Sequence, residues 1–208
     1  MVILREYRQK AQPDDGTRLA SSAVAWTKIK FMKKILVLTV SVLGVLTLRA
    51  EDAVFQASLT PEIAIYPSTT FVRGLSLNIW GENPQTGLTL GFVNGSSGDS
   101  GGFTWGLLNY ADSYTGVAWG FFNVSQTSFI GWQHGWVNVA QGEFVGFQSG
   151  WLVNYAKEFK GFQLGLVNYA EHLNGLQVGL VNIAMNNPWF NEFPDKLAPG
   201  FVFVNWSF

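Results

Sequence analysis

The chain contains no cysteine, so disulfides, thiolate metal sites and a lipid-modified N-terminal cysteine are excluded together. Charge is scarce as well: 13% of the 208 residues are charged, where an ordinary soluble domain carries roughly 25%. Fourteen of the 27 charged residues fall in residues 1–53, which leaves thirteen for the long remainder. A formal net charge of −1 hides a basic leader, with nine positive and five negative side chains, and an acidic remainder with four and nine. Neither part is basic enough for a nucleic-acid partner. Histidine is nearly absent too; His134 and His172 lack the spacing to acidic residues that zinc or facial-triad sites require. No serine–histidine–aspartate spacing suggests a hydrolase, and no Gly-rich stretch is followed by the Lys-Ser of a phosphate loop. The expectation is a non-enzymatic protein without a cofactor.

What the chain has in abundance is one cassette, written most clearly in Gly161-Phe-Gln-Leu-Gly-Leu-Val-Asn-Tyr-Ala170. Copies begin at Gly87, Gly102, Gly116, Gly131, Gly146, Gly161 and Gly175. A second glycine follows four places later, and then an asparagine: Asn94, Asn109, Asn123, Asn138, Asn154, Asn168 and Asn182. Only the copy at Gly146 has slipped its asparagine by one place. A fixed period of this kind marks units that cannot bury their own apolar faces and must stack.

Residues 1–31 read as a misassigned upstream segment ahead of Met32. Residues 32–50 read as a signal peptide, with Lys33-Lys34, an apolar run and Ala50 before a polar step. That run is shorter than the roughly 20 apolar residues of a membrane-spanning helix. Residues 51–208 form the repeat-built domain.

Two glycines per cassette and alternating apolar residues predict strands instead of helices. The even positions are apolar, and the odd positions mix Gly, Gln and Tyr. Charge-free strands of about ten residues suit an antiparallel transmembrane β-barrel of about ten strands, greasy outside and polar within. On that reading Gln133, Gln148, Gln163, Gln177 and Tyr169 face a lumen, and each Tyr169-type ring covers a glycine of the antiparallel neighbour. Trp189, Phe190 and Phe193 mark the longest external loop. Trp206 and Phe208 look like the C-terminal signal by which outer-membrane barrels are recognised. The barrel expectation therefore makes membrane lipid and the outer-membrane assembly machinery the partners. The alternative is a β-solenoid of about 15-residue coils, which would put every asparagine on one ladder. His134 fits the barrel poorly, because its even position faces lipid. Asn94-Gly-Ser matches a glycosylation acceptor pattern.

The cassette G-x-Q-x-G-L-V-N-x-A at Gly161–Ala170 and Gly175–Ala184 resembles that of an uncharacterised family of bacterial surface-repeat proteins. Val72–Trp80 is similar to that family's entry motif and Pro188–Phe208 to its closing segment. The middle copies depart from it, with Thr104 and Ala118 where Gln is usual. The resemblance implies location at the surface or outer membrane of a Gram-negative-type bacterium and supplies no substrate. Two functions follow as expectations: a structural or small-solute permeation barrel, or a surface-exposed module for binding or adhesion.

Overall fold

The computed structural model describes residues 52–208; the readings of residues 1–31 and 32–50 lie outside the described residues. The described part is all-β, with β1 (Ala53–Thr60), β2 (Ile63–Ala64), β3 (Val72–Asn83), β4 (Gln85–Ala184) and β5 (Gly200–Ser207). The strand order β2-β1-β3-β4-β5 is that of an open sheet, and no barrel closure is present among the described residues.

β4 is an unbroken extended tract of 100 residues. Laid out straight it would reach about 330 Å at 3.3 Å per residue, yet it contacts itself at every repeat. A Cβ built on Gly102 would run into the carbonyl oxygen of Gly87, one on Gly116 into that of Gly102, and so on through Gly175 on Gly161. The second glycines meet in the same order, Gly106 on Gly91 and Gly120 on Gly106. Two like-on-like contacts at different cassette positions are possible only if successive copies run parallel and in register. β3 on β4 shows the same register directly, with Gly74↔Gly87, Leu75↔Leu88 and Leu77↔Leu90 in parallel pairs. β1 on β3 is parallel as well.

This corrects the antiparallel register expected of neighbouring cassettes. Tyr169 does not cover Gly161 or Gly175; those two glycines stack on each other, and the Tyr169 ring lies 5.3 Å from that of Tyr155, its counterpart in the preceding copy. A glycine is covered by an aromatic ring at Gly95, where Tyr110 does so from the next copy. Successive copies thus stack parallel and in register, about fifteen residues apart.

The first glycine of each copy is dictated by two constraints at once. Its φ is positive, between 112° and 150° from Gly74 to Gly175, and the space where a Cβ would stand is taken by the backbone of the unit beneath. No L side chain satisfies either condition.

Numbering each copy from that glycine, the side chains at positions 3, 8, 10 and, with copy length, 13 or 14 point inward. Position 3 supplies Gln133, Gln148, Gln163 and Gln177, all fully buried. Position 10 supplies Ala140, Ala156, Ala170 and Ala184. Position 13 or 14 supplies Tyr114, Phe129, Phe144, Phe159 and Leu173, whose aromatic rings stack 5.3–5.6 Å apart. The segments that the sequence pattern assigns to short turns, such as Ala111–Thr115, are therefore extended, and their aromatic residues form the core. Burying a Phe side chain is worth about 1.5–3 kcal/mol, so this column is a main source of cohesion.

Both ends of the stack are covered by chain running the other way, as a repeat array requires. β2 pairs antiparallel with β1 at one end, and β5 pairs antiparallel with Gly175–Ile183 at the other. The loop after β4 folds back along the end of β5, where Leu197 N–H donates to Trp206 O and Phe208 N–H to Asp195 O.

Candidate binding surface

The asparagines form one continuous ladder. Each Nδ2 donates to the Oδ1 of the next, from Asn78 to Asn94 at 3.1 Å and then through Asn109, Asn123, Asn138, Asn154, Asn168 and Asn182 at 2.8–2.9 Å. The second amide hydrogen reaches a backbone carbonyl at position 4 of the next copy, as in Asn94 to Trp105 O and Asn154 to Leu164 O, both 2.9 Å. Gly at position 5 is what lets the amide cross: a Cβ on Gly106 would lie 2.6 Å from Asn94 Nδ2. The glycosylation-like Asn94 is a buried rung of this ladder.

The predicted lumen glutamines do face inward, as a second ladder instead of a channel lining. Gln148 donates to Gln133, Gln163 to Gln148 and Gln177 to Gln163, at 2.7–3.0 Å. The void beside Gln133 is about 10 Å³, room for at most about one water. Tyr169 is corrected to an outward position, half-buried on the surface of the stack.

Because positions 3 and 8 both point inward, the strict alternation breaks between them. Positions 6 and 7 consequently both face out, and the chain turns a corner there: Phe121 and Phe122 are both exposed, as are Leu180 and Val181. Positions 2, 4, 6, 7 and 9 carry apolar residues, so two adjoining sides of the stack are greasy. Charge sits elsewhere. Asp112, Glu143, Lys157, Glu158, Lys160 and Glu171 all lie at positions 11–15. His172, on that charged edge, is exposed and 3.7 Å from Glu158.

Between columns 4 and 6 the glycines of position 5 leave a groove of about 970 Å³. Its floor is Gly91, Gly106, Gly120 and Gly135; Trp105, Trp119, Phe121 and Trp136 stand along its walls. The groove runs from the Ile63–Ile65 end and stops at Trp151, where the slipped copy bulges out an extra residue and leaves Trp151 and Leu152 exposed. His134 lines it at column 4, with its Nδ1 2.7 Å from Ser149 Oγ and its ring 5.0 Å from that of Trp119. Trp132 Nε1–H donates to the same hydroxyl at 2.9 Å. The polar ring that sat awkwardly in the strand pattern is thus paired by the residue fifteen places on. That pairing follows from in-register stacking, and the period was its available signal.

Trp189, Phe190 and Phe193 are exposed on the loop between β4 and β5, with Phe190 against Phe201 and Phe193 against Trp206. Trp206 is half-buried and donates its indole N–H to Pro194 O at 2.7 Å; Phe208 is exposed. Among the described residues no three His, Cys, Asp or Glu side chains converge as a metal site.

No family model matches the chain, and no curated protein or solved structure matches it.

Proposed function

We propose that this protein is an exported envelope module, a β-solenoid that docks its apolar sides on a lipid surface and presents its charged edge to water. The observation that carries the reading is the separation of charge around the coil: in the seven cassettes from Gly87 to Ala184 no charge lies at positions 1–10 and all lie at positions 11–15, with Glu82 of the preceding unit the one exception in the stack. Exposed apolar patches beyond a few hundred Å² mark protein or membrane contacts. Here the patch wraps a convex corner at Phe121 and Phe122, and Trp fills many of its positions. A rigid partner covers one side of such a corner, whereas fluid hydrocarbon covers both, and Trp favours the interface. The surface-binding expectation is therefore the one supported. Permeation draws no support from an interior filled by glutamine, asparagine, alanine and phenylalanine. The role is non-enzymatic, and location in the outer membrane remains part of the proposal.

Vesicle flotation tests it. The chain is expected to float with phosphatidylcholine vesicles at low and high salt, since apolar burial is insensitive to screening. The apolar run of residues 35–48 would bind lipid by itself if retained, so the comparison is made on the chain beginning at residue 51, and the decisive variant is Phe121→Asp with Phe122→Asp. That double variant is expected to lose most of the binding, while Lys157→Glu on the charged edge keeps it. Equal flotation of all three would overturn the reading.

A further inference from the structure

We infer that the groove over the position-5 glycines is a binding site for one long-chain fatty acid, its hydrocarbon along the glycine floor and its carboxylate at His134. The inference deepens the lipid-surface reading and rests on it for the chemistry of the surroundings, but it concerns a separate recess with its own geometry.

Shape comes first. Floor and walls are built by stacking, so the groove is continuous across strands from β2 to Trp151. Eight layers and seven steps of about 4.8 Å give roughly 34 Å of length. The width is that of a single glycine position between two columns of large side chains. Such a slot fits an extended unbranched chain, and a globular or planar ligand would leave most of it empty. Its volume of about 970 Å³ is at the upper end of the 300–1,000 Å³ of small-molecule sites.

Polarity locates the head. The floor glycines pair with their neighbours as part of the sheet, so the backbone there has no hydrogen bonds to spare for a polar ligand. Among the lining side chains, Asn78 donates to Asn94, Ser58 Oγ and Asn78 Oδ1 are buried near the opposite end, and the remaining walls apart from His134 are aliphatic or aromatic. His134 is the titratable residue of the lining, near the Trp151 end. Its environment also prepares it as a donor. Trp132 Nε1–H donates to Ser149 Oγ, which leaves the hydroxyl hydrogen available to His134 Nδ1 at 2.7 Å. With Nδ1 accepting, the neutral imidazole carries its proton on Nε2, free to donate to an acceptor such as a carboxylate oxygen. One titratable side chain near the end of a long, mostly apolar slot matches an amphiphile with one polar end. A second copy of this chain has nothing of that kind to present from its own charge-free columns.

The test is calorimetric titration of the full chain with palmitate below its micelle concentration, beside the vesicle flotation above. Saturable one-to-one binding is expected. His134→Phe, which keeps an aromatic ring and removes the donor, is expected to weaken it about tenfold or more. Leu90→Trp, which fills the slot from an outward position, is expected to abolish it with the circular dichroism unchanged. Absence of saturable binding by the unaltered chain overturns the inference, as does wild-type affinity in Leu90→Trp. Wild-type affinity in His134→Phe overturns the placement of the carboxylate. A dimer in light scattering that Leu90→Trp dissociates, with no palmitate bound, would assign the groove to a second copy and overturn the fatty-acid site. Flotation that persists while palmitate fails overturns the groove alone; loss of both overturns the lipid-surface reading as well.

Discussion

Asn138 donates to Asn154 at 2.9 Å across sixteen residues of chain, and Asn154 donates to Asn168 at 2.8 Å across fourteen. The ladder therefore keeps its spacing through the one copy whose asparagine has slipped, and the irregularity is expelled to the surface at Trp151 and Leu152. Buried amides set the register, and the exposed apolar columns accommodate it. Leaving one such amide unpaired costs about 1–3 kcal/mol, more than an exposed side chain loses by shifting.

Asn154→Ala is accordingly expected to be strongly destabilising. It strands Asn138 Nδ2, Asn168 Oδ1 and the carbonyl of Leu164 at once, for a loss of about 2–4 kcal/mol on the cost of unsatisfied buried groups. Asn174→Ala, at an exposed position of the charged edge, should stay within about 0.5 kcal/mol. Urea unfolding followed by circular dichroism measures both, and similar values for the two would contradict the ladder's role.

Tyr114 opens the phenylalanine column with its hydroxyl buried and without a hydrogen-bond partner, and burial holds its ionisation far above the usual tyrosine range. Tyr114→Phe removes that orphan and completes the stack on Phe129. The variant is expected to be more stable by about 1 kcal/mol, seen as a higher midpoint in thermal unfolding. A lower midpoint would mean the hydroxyl has a partner.

Tyr110 is pushed up to about 12 by burial and then by donating its hydroxyl to Glu82 Oε2 at 2.6 Å, with the Trp80 indole opposing the shift. The folded state thus holds the proton more tightly than the unfolded chain, whose tyrosine titrates near 10. The associated stability is complete below pH 10 and is lost as pH rises from about 10 to about 12. Tyr155, raised by its hydrogen bond to Glu171, acts in the same direction. Unfolding free energy measured across this window should fall, and Tyr110→Phe should fall less steeply; an identical slope in the variant would exclude this contribution.

Strand content, the period, the inward glutamines and the scarcity of charge were all legible in the sequence. The direction of stacking was harder to read. Alternation within one cassette suggests a regular strand with two faces, and nothing local reveals that positions 3 and 8, five apart, share the interior. The resulting corner moves Asn168 inside and Tyr169 outside, and it converts a greasy face into two greasy sides. Phe144 and Phe159 stand among charged residues and resemble turn members, although the coil closes over them. The repeated asparagine was the strongest clue to parallel stacking, because identical amides satisfy each other only when they lie in register. The His134–Ser149 pair becomes visible once residues fifteen apart are treated as neighbours.

The absence of cysteine permits the most direct test of the central claim, that the apolar corner meets hydrocarbon while the charged edge stays in water. Single cysteines placed at Phe122 and at Asn174 would each carry an environment-sensitive fluorophore, and spectra would be recorded with and without phosphatidylcholine vesicles. The account predicts a blue shift and loss of quenching by aqueous iodide for the label at 122, with the label at 174 unchanged. Unchanged spectra at 122, or equal shifts at both positions, would contradict it.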